Sequence, residues 1–249
     1  MNKQKIYFAS DFHLGTPSLK ESHKREKHII QWLNEIERDA KAIYLLGDIF
    51  DFWFEYRKVV PKGFVRLLGK IATIIDNGTE IHLFVGNHDL WAKKYLEQEV
   101  GIIIHYESKI IEEHGKKIFI SHGDGLGQGD YFYKFIRIIF TSKICQWLFS
   151  ILHPDFGMSL AHAWSNSSRK RKTAAKYISE EKELLFGYCK KQQQINPVDY
   201  YIFGHRHIPL ELEINDNAKY INVGDWIVHK TYSMLAEGKL TLERYKTTQ

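Results

Sequence analysis

Residues 44–53 read YLLGDIFDFW, and they set two aspartates, Asp48 and Asp51, inside an otherwise apolar stretch. A carboxylate withdrawn from water needs a compensating charge or a metal. The run that leads into Asp48 is of β type, and it has counterparts along the chain. KIYFAS (5–10), AIYLLG (42–47), EIHLFVG (80–86), KKIFIS (116–121) and YYIFG (200–204) are each rich in Ile, Tyr, Phe or Val and each end in polar or glycine residues. Helical patterns lie between several of them. From Glu21 to Arg38 the residues Ile29, Trp32, Leu33 and Ile36 share one face, and Gly63 to Ile75 reads likewise. Strands alternating with helices predict a layered α/β domain, whose ligand sites gather beyond the carboxyl ends of the strands.

Those ends hold the unusual residues. The five runs lead in turn into Asp11 and His13, into Asp48, into Asn87 and His88, into His122, and into His205 and His207. A single histidine or aspartate at a strand end is ordinary turn chemistry. Five segments delivering oxygen and nitrogen donors to one edge predict a metal site, with Asp48 charge-balanced by cations. The set contains no thiolate, so it suits manganese, iron, magnesium or zinc. Asp51 and Asp124 are candidates either to orient a ligating imidazole or to cap a turn.

The 249 residues suffice for one large domain with an insertion, and 44% apolar with 26% charged residues is ordinary for a folded protein. Cys145 and Cys189 form no CxxC pair, and the amino terminus, MNKQKIYFASDFHLG, lacks an apolar core of signal-peptide length before Asp11. A reducing, cytoplasmic location is therefore expected. The apolar run YFYKFIRIIFTSKICQWLFSIL is interrupted by Lys134, Arg137 and Lys143, so a membrane span is not expected.

Between the fourth and fifth runs the strand rhythm stops. Phe132, Phe135, Ile136, Ile139, Phe140, Trp147, Leu148 and Ile151 approximate a helical apolar stripe, with Lys134, Arg137 and Lys143 off it. Such a stripe either packs on the domain's own core or, as a basic amphipathic helix, meets a membrane or lipid. From Asp130 to Lys172 there are seven Lys/Arg against two Asp, a local excess that equals the net +5 of the whole chain. A nucleic-acid groove would interleave its aromatics with cations, and here they lie along one stripe, so nucleic acid is not an expected partner.

The series D-x-H, GD-xx-D, GNHD, HGD and GH-x-H, in that order, resembles the calcineurin-like metallophosphoesterases over roughly residues 5–226, apart from the helical insertion. The resemblance implies a four-layer α/β/β/α sandwich with a helical lid: a catalytic core of residues 1–129 and 195–249 and a lid of 130–194. It also implies two divalent ions, one held by Asp11, His13, Asp48 and His207, the other by Asp48, Asn87, His122 and His205. His88 would stabilise transition-state charge or protonate the leaving oxygen. The lid, the short GDIFDFW motif and the length are further similar to the UDP-2,3-diacylglucosamine hydrolases of lipid A biosynthesis. That likeness implies manganese, a lipid nucleotide substrate cleaved to UMP and 2,3-diacylglucosamine 1-phosphate, and work at the cytoplasmic face of the inner membrane. By the same likeness Asn87, His88, Asp130, Ser165, Arg169 and Lys172 lie near substrate. His88 stands where those hydrolases typically carry arginine, which keeps a phosphodiesterase or phosphomonoesterase of other specificity open; a non-catalytic scaffold would have lost ligands.

Overall fold

The computed structural model describes residues 3–127, 131–171, 179–180 and 183–246, and the side chains of 132, 133, 164 and 166–171 lie outside that description. Five strands carry the runs read above: β1 (Lys5–Ala9), β2 (Ala40–Leu45), β3 (Glu80–Phe84), β6 (Lys116–Ile120) and β7 (Tyr200–Phe203). The short β4 (Ile103–His105) and β5 (Lys109–Glu113) lie between β3 and β6, and β8 (Pro209–Asn215), β9 (Ala218–Val223), β10 (Thr231–Ala236) and β11 (Lys239–Arg244) complete the chain. They form a six-stranded sheet in the order β11-β10-β1-β2-β3-β4 and a five-stranded sheet in the order β5-β6-β7-β9-β8.

The side-chain alternation of a strand explains the layering. Ile6 and Phe8 of β1 and Ala42 and Tyr44 of β2 face the second sheet, where they pack with Ile118, Ile120, Ile202, Ile221 and Val223. Tyr7, Ala9, Ile43 and Leu45 face the other way, onto α1 (Leu19–Ile36) and α2 (Val65–Asp76). The predicted stripe Ile29, Trp32, Leu33 and Ile36 is the buried face of α1, and Ser18 caps its start by accepting from Glu21 N. Trp32 is fully buried against Trp226, Tyr232 and Tyr7. On the far side α6 (Leu184–Ile195) buries Leu185, Phe186 and Cys189 on Phe119, Tyr201 and Tyr220 of the second sheet. The result is the expected helix, sheet, sheet, helix sandwich.

Between β6 and β7 run α3 (Tyr131–Thr141), α4 (Lys143–Ile151) and α5 (Pro154–Arg171). The single amphipathic helix read from the stripe is thus two helices, broken at Ser142. Most of the stripe does not pack on the core either: Phe135, Trp147 and Ile151 are 61%, 62% and 62% exposed, and α4 buries no residue, although the half-buried Phe140 meets Trp91. Attachment to the body is made instead by Phe149, whose ring meets Phe52, Phe54 and Trp91 at 4.7–5.9 Å, and by Trp91 Nε1, which donates to Phe140 O at 2.6 Å.

Candidate metal centre

Parallel pairing of β1 with β2, β2 with β3, and β6 with β7 puts the carboxyl ends of these strands on one side. The chain must then turn sharply. Asp11, His13, Asp48, His205 and His207 all have positive φ, between 43° and 66°. That conformation costs non-glycine residues on the order of 1–3 kcal/mol each and persists where the surroundings over-determine it. Here they do. Leu46 N donates to Ala9 O and Asp11 N to Gly47 O, tying the first two strand ends together, and Trp226 N donates to Asp11 O. Arg25 of α1 donates to His13 O at 2.6 Å. At Gly86 and Gly204 the backbones press so closely on Asp48 Oδ1 and on Ser10 and Asp11 that a Cβ would overlap them.

These turns bring the donors together. Asp11, His13, Asp48 and His207 each offer an atom within 4.8 Å of the others; Asp48, His122 and His205 form a second such group, and His13, Asp51 and His88 a third. Asp48 belongs to the first two. His207 Nε2 is 3.2 Å from Asp11 Oδ1 and 3.2 Å from His13 Nε2, which is 3.7 Å from Asp48 Oδ2. On the other side His122 Nε2 is 3.4 Å from Asp48 Oδ2. Ligand atoms about 2.0–2.2 Å from one ion lie roughly 3.0–3.5 Å apart at right or tetrahedral angles, and the separations of 3.2 and 3.4 Å match that spacing. Asp11 Oδ1, Asn87 Oδ1 and His122 Nε2 are buried and make no geometrically sound hydrogen bond among the described residues. Buried atoms of this kind need a partner, and divalent ions fit the set.

The outward atoms are held. His122 Nδ1 lies 2.6 Å from Leu46 O, a spacing that favours its donating there and turns the Nε2 lone pair inward. His207 Nδ1 faces Asp225 Oδ2 at 3.6 Å, and Asp225 Oδ1 accepts from the backbone of Val228 and His229. Asp48 Oδ1 accepts from His88 N at 2.9 Å, and Asp11 Oδ2 from His205 N at 2.9 Å. Burial alone would raise the Asp48 carboxyl, but His122, His88 and His13 hold it well below the usual carboxylate range. Burial alone would lower His207, but Asp11 and Asp225 push it up to about 10. The carboxylates thus stay ionised and favour cationic neighbours in the pocket.

Asp51 sits under His13 and His88, its Oδ1 3.8 Å from each Nδ1, and its carbonyl lies 2.7 Å from His88 Nδ1. Its carboxylate lies beside both rings, at a charge-pair distance longer than a hydrogen bond. Asp124 meets Arg137 Nε of α3 at 3.4 Å and adds its charge to those near His122. Ser165 of α5 is buried and donates to Asp51 Oδ1 at 3.2 Å, so the helical segment touches the centre. Arg169 falls on α5 without a described side chain, and Asp130 and Lys172 lie outside the described residues.

Three residues were missed by sequence reasoning. Asp89, fully buried, receives Gly86 N and Ile49 N and is raised to about 6 by burial and by Asp48; the last letter of GNHD was its signal. Asp225 backs His207, and its only sign was an aspartate after Gly224. His162, half-exposed on α5, stands 3.6 Å from Asp51 Oδ2, which no local pattern announces.

A family described as Calcineurin-like phosphoesterase matches residues 4–209. A UDP-2,3-diacylglucosamine hydrolase of Porphyromonas gingivalis is 38% identical over 255 aligned residues, covering 97% of this chain and 97% of its own. Hydrolases of the same name from Actinobacillus succinogenes and Pseudomonas aeruginosa are 26% and 28% identical, covering 89% of this chain in each case and 92% and 90% of their own. The order of motifs, the edge they build and the span of these matches agree, and the chain belongs to the calcineurin-like phosphoesterase family.

Proposed function

We propose that the protein hydrolyses UDP-2,3-diacylglucosamine to UMP and 2,3-diacylglucosamine 1-phosphate. The observation that carries the substrate is the 38% identity to a hydrolase of that name over 97% of both chains, a span too long to omit the helical segment. Two divalent ions fit the donors, one on Asp11, His13, Asp48 and His207 and one on Asp48, Asn87, His122 and His205, with manganese as the working metal. When bound, such a pair polarises a phosphoryl oxygen and activates the attacking water.

The chain's own residues do the rest. Asp48 supplies the charge shared by the two halves, which a neutral imidazole would not. His88, whose backbone N–H is spent on Asp48 and whose Nδ1 donates to Asp51 O, is set, as the imidazolium, to donate through Nε2 to the leaving oxygen or to offset charge on the diphosphate. Asp51, by orienting His13 and His88 together, keeps ligand and acid in register. Residues 130–194 act as a lid: its exposed apolar side chains receive the acyl chains, while Ser165, with Asp130, Arg169 and Lys172 as further contacts, approaches the polar part. Among the described residues no helix is long and apolar enough to cross a membrane. The exposed stripe and local positive charge support docking at the anionic cytoplasmic face of the inner membrane.

His88, in the general form GNHD, favours a second reading, a phosphodiesterase or phosphomonoesterase of other specificity. Release of UMP from the lipid nucleotide, assayed beside hydrolysis of bis(4-nitrophenyl) phosphate, separates the two. Turnover of the lipid at the higher kcat/KM supports the first reading; turnover of the aryl diester alone supports the second.

A further inference from the structure

A cavity of about 250 Å3 opens at His122 and runs away from the centre between the ends of β3 and β4, the loop after β6, and α3. Its lining is polar and aromatic and includes Tyr106, Glu107, Ser121, Asp124 and Arg137. The exposed stripe residues Phe135, Ile139 and Trp147 are not on its wall. At this size, below the roughly 300–1,000 Å3 of whole-ligand pockets, it accommodates a part of a substrate. A phosphorus held at the strand ends would carry its ester substituents outward, and His122, one of the donors of the centre, also lines this cavity.

Three features give the cavity a chemistry. Arg137 meets Asp124 through Nε at 3.4 Å, and no other ion pair or hydrogen bond engages its guanidinium among the described residues. A guanidinium so placed is a forked donor for phosphate oxygens. Tyr106 donates its hydroxyl to Ala92 O at 2.9 Å, which fixes a ring that is still 48% exposed, a stacking platform set in place beforehand. Glu107, exposed at the rim, supplies the acceptor that a ribose diol requires.

From this we infer that the cavity between Tyr106 and Arg137 is the subsite for the nucleoside monophosphate half of the substrate, with the lipid half lying on the opposite, apolar side of the lid. The inference rests on the reading of the substrate as a nucleotide-linked lipid. It assigns Arg137 to the phosphate, Glu107 to the ribose and Tyr106 to the base.

The test is calorimetric titration of UMP into the Mn(II)-loaded full chain, wild type, Arg137→Ala, Arg137→Lys and Tyr106→Ala, with thermal melts to show that each variant is folded. Product inhibition of lipid hydrolysis by UMP and by 2,3-diacylglucosamine 1-phosphate is measured in parallel. The Kd and Ki for UMP should rise about 10-fold in Arg137→Ala and Tyr106→Ala and less in Arg137→Lys, while the Ki of the lipid product stays put. Unchanged UMP affinity in a wild type that hydrolyses the lipid and in both alanine variants overturns the subsite and leaves the substrate assignment standing. Equal weakening of both products also overturns it, because Arg137 would then act by holding the lid. If the wild type binds UMP with this pattern yet leaves the UDP lipid intact, the subsite stands and the substrate assignment falls.

Discussion

The strand-end centre and the helical segment above it solve opposite problems. At the centre Asp11, Asp48, His13 and His122 are buried, the backbones of the first three strained, and outer atoms tied to Leu46 O, to His205 N and to His88 N. In α3 and α4 large apolar side chains stand in water, and hold on the body rests on Phe149 and Phe140. The contrast divides the work. Chemistry needs donors fixed to within a fraction of an ångström, so it sits where two sheets over-determine the backbone. Recognition of a lipid needs apolar area kept uncovered until the ligand arrives, and in the proposed reading it falls to these helices, which bury little of their own.

The largest effect should come from Asp48→Asn. The amide retains an oxygen for His88 N but removes the charge common to both donor groups, so kcat should fall by about 10³-fold or more in steady-state assays with saturating Mn(II). A melting temperature close to that of wild type would place the loss in chemistry and not in folding. His88→Ala is expected next, with kcat lower by roughly 10²- to 10⁴-fold. His88→Arg should keep substantial turnover of the UDP lipid, because a guanidinium supplies the permanent charge that an imidazole supplies only when protonated. A His88→Arg enzyme as inactive as His88→Ala would make proton donation, not charge, the function of that residue.

The centre was largely legible in the sequence, and the helices were not, for a physical reason. A parallel strand fixes the direction of its carboxyl end, so Asp11, Asp48, Asn87, His122 and His205 were bound to share an edge once five strands were read. Periodicity found Ile29, Trp32, Leu33 and Ile36 because a helix on a sheet has a single buried face. For α3 and α4 that rule has little purchase: most of the stripe is exposed, and of the two residues that anchor the segment, Phe140 and Phe149, the second lies off it. The strands β8 to β11 lie outside the five runs that end in donors, although PLELEIN and KLTLER carry the apolar–polar alternation of half-buried strands. His162 reaches Asp51 only through the packing of α5, a contact between positions more than a hundred residues apart.

On the lid side the effects should be smaller and should appear in KM. Phe135→Glu with Ile139→Glu is predicted to raise KM for the UDP lipid about 10-fold with kcat nearly unchanged. Because both residues are open to solvent, the melting temperature should move by no more than about 2 °C. A drop of 5 °C or more would mean that the stripe is core after all. Phe149→Ala should do the reverse and lower the melting temperature, since its ring packs on Phe54 and Trp91.

The smallest effect concerns neither region. His105, stacked on Phe84 and 3.0 Å from His82, is held down to about 4 by burial, by His82 and by Lys109. A depressed imidazole contributes stability that is present above its ordinary value near 6.5 and is lost as pH falls through about 4. The ring is partly exposed, so the loss should be on the order of 1 kcal/mol. Denaturant melts of His105→Phe should show a shallower decline between pH 6.5 and pH 4 than wild type; an identical decline would place the acid sensitivity elsewhere.

The central claim is that two cations at the strand ends are needed to split a lipid nucleotide. Its most direct test is UMP release from UDP-2,3-diacylglucosamine by protein stripped with chelator and then titrated with Mn(II). Release should be absent in the stripped protein and should rise to a plateau near two equivalents per chain. Undiminished release from the stripped protein, or a plateau reached without any UMP, would contradict it.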